Sequence, residues 1–79
     1  MSKLSSLAIS DNGFIFKPST GESYTTNEIG LFIINLLRTE NSGEEIIEAI
    51  MDDFDVDKIT AGRDMYEFLD VMKRESLID

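Results

Sequence analysis

Residues 7–25 read LAISDNGFIFKPSTGESYT. The turn chemistry inside this stretch decides between an all-helical chain and one that begins with a sheet. Asn12-Gly13 is the dipeptide of a two-residue type I′ turn, whose central residues both need positive φ. Closing a hairpin there sets Asp11 opposite Phe14 and Ile9 opposite Phe16. Leu7, Ile9, Phe14 and Phe16 then share one half-buried face, as side-chain alternation along strands requires. Pro18-Ser19-Thr20-Gly21 is a second turn, with proline fixing φ early and glycine available for a left-handed position. A third strand is expected from about Glu22 to Thr25. Its register stays open: a four-residue loop pairs Ile15 with Tyr24, whereas a three-residue loop with a bulge pairs Phe16 with Tyr24.

Downstream the hydrophobic period changes from two to that of helices. Asn27 is an N-cap for a first helix, with a Thr25/Glu28 capping box in competition. From Ile29 to Leu37 nearly every position is apolar. Ile29, Phe32, Ile33, Leu36 and Leu37 form one stripe, and Leu31 and Ile34 lie outside it. A helix apolar on most sides is surrounded by other elements, so this one is expected at the centre. Ser42-Gly43-Glu44-Glu45 is a second capping box, with acids placed well against the helix dipole. Ile46, Ile47, Ile50, Met51 and Phe54 make the buried arc of that helix, while Glu44, Glu45, Glu48, Asp52 and Asp53 face water. Asp57 or Thr60 caps a third helix running to about Arg74. Ala61, Met65, Phe68, Leu69 and Met72 fall on its inner arc, and Arg63, Glu67, Asp70 and Arg74 lie opposite. Leu77-Ile78 is expected to fold back onto the bundle. Three strands then three helices make an α+β domain over residues 1–79: a three-stranded antiparallel sheet followed by a three-helix bundle, winged-helix-like in arrangement.

Composition narrows the function. Among 79 residues there is no cysteine and no histidine. That removes Ser-His and Cys-His nucleophile pairs, imidazole acid/base chemistry and the usual zinc ligand sets. The five glycines at 13, 21, 30, 43 and 62 form no phosphate-cradling loop. Catalysis, a cofactor and a metal are therefore not expected. The longest apolar run, Ile29–Leu37, is too short to span a bilayer, and nothing resembles a signal peptide, so a cytoplasmic location is the expectation. Charge is lopsided: residues 1–39 hold three acids and three bases, residues 40–79 thirteen acids and four bases, and the whole chain carries −9. A phosphate backbone would be repelled by the second half, which argues against nucleic acid.

Asp53, Asp55 and Asp57, with Asp64 at the twelfth place, imitate a calcium loop. Lys58 occupies the place where glycine makes the sharp turn, so the acids read better as a helix end, a loop and a new cap. Acyl or peptidyl carriers share the size and acidity but need a serine at the start of an inner helix. Ser6-Leu7 lies in an expected strand and Ser76-Leu77 at the extreme C-terminus. A winged-helix regulatory or interaction module remains the other alternative, although no expected helix presents a basic face. The four methionines read as core filler.

Three pieces, in order and spacing, resemble the PqqD family, the stand-alone recognition element for ribosomally made, modified peptides. They cover roughly residues 14 to 78. Asn27-Glu28, with Ile33 and Leu36-Leu37 following, resembles the family's entry into its first helix. Glu44-Glu45-Ile46-Ile47 with Ile50 and Phe54 resembles its second. Asp64-Met65-x-x-Phe68-Leu69-x-x-Met72, then Leu77-Ile78, resembles its closing pattern. Thr26 departs from the family where an apolar residue is usual, and Ser76 where glycine is favoured. The resemblance implies a peptide chaperone that captures the leader segment of a precursor peptide and presents it to a modifying enzyme, commonly a radical S-adenosylmethionine enzyme. It further implies a leader added as a strand beside Glu22, Ser23, Tyr24 and Thr25, in a cleft against the third helix. Candidate residues there are Asp64, Glu67 and Val71 on one flank and Tyr66 on the other. The sequence leaves open which flank faces the cleft.

Overall fold

A computed structural model describes residues 6–78. Three antiparallel strands come first: β1 (Ala8–Ile9), β2 (Phe14–Lys17) and β3 (Glu22–Thr25), in the spatial order β1-β2-β3. Three helices follow, α1 (Glu28–Leu37), α2 (Gly43–Phe54) and α3 (Lys58–Arg74).

The first hairpin corrects the expected register. Ile9 stands opposite Ile15 and Ala8 opposite Phe16, one residue away from the type I′ pairing. The loop is three residues long, Asp11-Asn12-Gly13. The Gly13 N–H donates to the Ser10 carbonyl at 3.1 Å, and Gly13 alone of the three takes positive φ, +83°. That is a type I turn closed by a left-handed glycine rather than a I′ turn. Ser10 Oγ favours the wider loop by accepting from the Asn12 and Phe14 N–H groups at 3.3 and 3.1 Å. A one-residue slip exchanges faces. Ile15, not Phe14 or Phe16, therefore points into the core at 1% exposure, and the two phenylalanines lie on the outer sheet face, 47% and 38% exposed. The second hairpin takes the four-residue alternative. Lys17 pairs with Glu22 and Ile15 with Tyr24, so Tyr24 faces inward.

Local capping chemistry sets the helix starts. Asn27 Oδ1 accepts from the Gly30 N–H at 2.9 Å, so Asn27 rather than the Thr25/Glu28 box opens α1. Ser42 and Glu45 form the reciprocal capping box of α2. Asp57, not Thr60, caps α3, its carboxylate accepting from the Thr60 N–H at 2.8 Å. Asp55 holds a left-handed conformation after α2 (φ +53°), so the acids between α2 and α3 are a helix end, a loop and a cap.

The core has two lobes joined by α1. Ile34 packs with Leu7, Ile15, Met72, Leu77 and Ile78 beneath the sheet. Ile33, its neighbour in sequence, packs with Ile46, Ile47, Ile50, Ala61 and Met65 among the helices. Serving both lobes is why α1 is apolar on most of its sides. Phe32 and Phe54 meet edge to face, ring centroids 5.2 Å apart. Met65 and Met72 are buried and Met51 half-buried, as core filler; Met1 lies outside the described residues. The tail folds back as expected. Ser76 turns left-handed at φ +57°, its N–H donates to the Lys73 carbonyl and the Leu77 N–H to the Met72 carbonyl. That Schellman pair delivers Leu77 and Ile78, each 2% exposed, to the core beneath the sheet.

Candidate functional site

Among the described residues β3 is an edge strand, bonded on one side to β2. The Thr26 N–H donates to the Gly13 carbonyl at 2.8 Å, which makes Gly13–Thr26 a hydrogen-bonded pair of the β2/β3 ladder. Such pairs alternate with non-bonded ones along an antiparallel ladder. Tyr24 and Glu22 therefore turn their backbone groups to β2, and Ser23 and Thr25 turn theirs to the open edge. An edge of this kind can pair with another chain.

Starting at Asn27, two residues past β3, a cleft of about 260 Å³ lies between the start of α1 and the middle of α3, lined by Asn27, Ile29, Gly30, Asp64, Glu67, Phe68 and Val71. Gly30 sets its width. A β-carbon there would stand 2.8 Å from Phe68 Cε1 and would also strike Thr26 Oγ1. Only glycine lets the two helices approach this closely. Ile29, Gly30 and Phe68 supply an apolar floor. Val71 belongs to neither core cluster and is 45% exposed.

Of the residues singled out from sequence, Asp64, Glu67 and Val71 come together along the α3 wall of this cleft. Tyr66 is 66% exposed on a part of α3 that does not line it. Glu22, Ser23 and Thr25 are exposed on β3, while Tyr24 packs against the core beneath the sheet. Partial desolvation raises the pKa of the Tyr24 hydroxyl, as do the nearby carboxylates of Glu22 and Glu75. Packing of Tyr24 on the lobe that holds Met72 and Leu77 brings the inner side of β3 to the C-terminal end of α3. Asn27, Ile29, Gly30 and Phe68 were not singled out for the site. A glycine inside an otherwise apolar helix was the signal for a close approach.

No described helix is long and apolar enough to cross a membrane. The geometry so far defines a class: a winged-helix-like α+β domain with its sheet first, an open strand edge and a cleft alongside. The sequence profile of coenzyme PQQ synthesis protein D (PqqD) matches residues 13–78, and the chain belongs to that family. Among solved structures it is similar to TbiB1 in complex with the TbiA(beta) leader peptide. The TM-score is 0.82 and the identity 28%, over 92% of this chain and 86% of that one. No curated protein matched the chain by sequence.

Proposed function

We propose that this chain is a non-catalytic peptide chaperone that captures the leader segment of a precursor peptide by strand addition at β3 and presents it to a modifying enzyme. The observation that carries the reading is the open edge at Ser23 and Thr25, followed two residues on, at Asn27, by a cleft walled by Asp64, Glu67 and Val71. Main-chain hydrogen bonds to such an edge give affinity, and pockets for alternate side chains give specificity. Membership of the PqqD family and similarity to a protein solved with a leader peptide support it. A radical S-adenosylmethionine enzyme is the partner class the family suggests, and the precursor peptide is the ligand. Within the Glu22–Thr25 strand, Ser23 and Thr25 would bond the leader backbone while Glu22 and Tyr24 hold the strand to β2, and Asp64, Glu67 and Val71 would take its inward side chains. Tyr66, on the outer flank of α3, would contact a longer leader or the enzyme.

The test is an amide NMR titration of the labelled chain with the leader segment of the short precursor encoded nearest to it. Shifts gathered on residues 22–27 and on Asp64, Glu67 and Val71 are expected. A leader that leaves the spectrum unchanged, while the enzyme encoded alongside does bind, would replace the chaperone reading with a plain interaction module.

A further inference from the structure

The cleft is apolar at its floor and acidic along its α3 wall. Asp64, Glu67 and Val71 are spaced three and four residues apart and so share one face of the helix; Glu75 lies four beyond. Among the described residues the ion pairs are Lys58–Glu44 and Arg74–Asp70. Neither involves Asp64, Glu67 or Glu75, and no Lys or Arg is among the residues that line the cleft. Glu75 also adds its charge at the C-terminal end of α3, where the helix dipole is already negative.

The direction of the row is set by the strand beside it. Tyr24 packs on the lobe that holds Met72 and Leu77, at the C-terminal end of α3, and Asn27 shares the cleft with Asp64 and Glu67. The chain from β3 to Asn27 therefore tracks α3 from its end back to its middle. A strand added to β3 would follow the same course. Its side chains facing α3 recur every ~6.6 Å, two residues at ~3.3 Å each. Glu67 and Val71 are separated by ~6 Å along the helix axis, four residues at 1.5 Å. The two spacings match.

Resting on the peptide-binding reading above, we infer that the captured leader is basic: an apolar side chain seats over Val71 and Phe68, and a Lys or Arg two residues away lies against Asp64 and Glu67. An acidic side chain at that place would meet two carboxylates in a cleft lined by no Lys or Arg. The preference is electrostatic and exposed to solvent, so it is modest and sensitive to salt.

Calorimetric titration of the whole chain with the leader of the nearest precursor tests this. Three proteins are compared: wild type, Asp64→Asn/Glu67→Gln, and a control, Asp52→Asn/Asp53→Asn, on the outer face of α2. The cleft variant should bind about tenfold more weakly and with a shallower salt dependence, the control as wild type does. A leader with its Lys or Arg changed to Glu should lose a similar factor against wild type and little more against the cleft variant. Circular dichroism verifies that both variants are folded. A leader that binds wild type and cleft variant equally overturns the charge preference and leaves peptide capture standing. A leader that fails to bind folded wild type removes both.

Discussion

Gly30 and Phe68 meet where α1 crosses α3, and a β-carbon on Gly30 would come within 2.8 Å of the Phe68 ring. Gly30→Ala should therefore destabilise the chain although alanine is the better helix former. Overpacking costs ~1–3 kcal/mol, against ~1 kcal/mol gained in helix propensity. The ring would be driven into the cleft, so leader binding should weaken as well. Urea unfolding checks the first effect, and a more stable variant would show that the crossing has room to spare.

The register of the first hairpin makes a sharper pair. Ile15 is 1% exposed and Phe14 47%. Ile15→Ala should cost ~2–5 kcal/mol, as removal of a buried branched side chain does. Phe14→Ser should cost less than half as much, since its ring is only partly covered. The type I′ register would reverse this order, so equilibrium unfolding of the two variants discriminates between them.

That contrast marks where the sequence was legible. Capping is local, and Asn27, Ser42 and Asp57 could be read as helix starts because each bonds a backbone N–H three residues on. Asn12-Gly13 was ambiguous because both a I′ turn and a type I turn with a left-handed glycine accept those residues. What decides is tertiary: only the Ile9–Ile15–Tyr24 face can cover Ile34. The site followed the same division. Open-edge groups on β3 could be anticipated from element order. The cleft-facing flank of α3 could not, because Tyr66 and Val71 both lie off the buried arc. The choice is made by the close approach of α1 at Gly30, a contact distant in sequence.

Ser76 holds φ +57° in the turn that returns Leu77 and Ile78 to the core. A residue with a β-carbon is strained there by ~1–2 kcal/mol, which glycine avoids at the cost of greater freedom when unfolded. Ser76→Gly should leave a net gain of ~0.5–1 kcal/mol. A higher urea midpoint with an unchanged slope is the expected record. An unchanged midpoint would mean that the serine is not strained.

Two carboxylates couple the helix starts to pH. Hydrogen bonds to the Thr60 N–H and the Ser42 N–H hold the Asp57 and Glu45 pKa values below their ordinary ones. A carboxyl group whose pKa is lower folded than unfolded stabilises fully above its unfolded value, and that contribution is lost as pH falls through the folded one. Stability should thus be level near neutrality and decline below the ordinary carboxylate range. Asp57→Asn keeps a capping oxygen but cannot ionise, so its acid decline should be shallower. Thermal unfolding from pH 7 down to pH 2.5 records the difference, and parallel curves would assign the acid sensitivity elsewhere.

Strand addition depends on backbone, not side chain, at Ser23. Its N–H points to the open edge by alternation from the Gly13–Thr26 pair. Ser23→Pro removes that donor and crowds an incoming strand, while the bonds between Tyr24 and β2 lie on the other side. Ser23→Ala keeps the donor and should bind leader as wild type does. The proline variant should lose about tenfold or more, since a backbone hydrogen bond contributes ~0.5–1.5 kcal/mol and the ring obstructs its neighbours. Helical circular dichroism should be the same in both, because the substitution lies outside the helices. Equal leader affinity for the two variants would mean that the peptide is held by the α3 cleft through side chains, with the β3 edge left free for the partner enzyme.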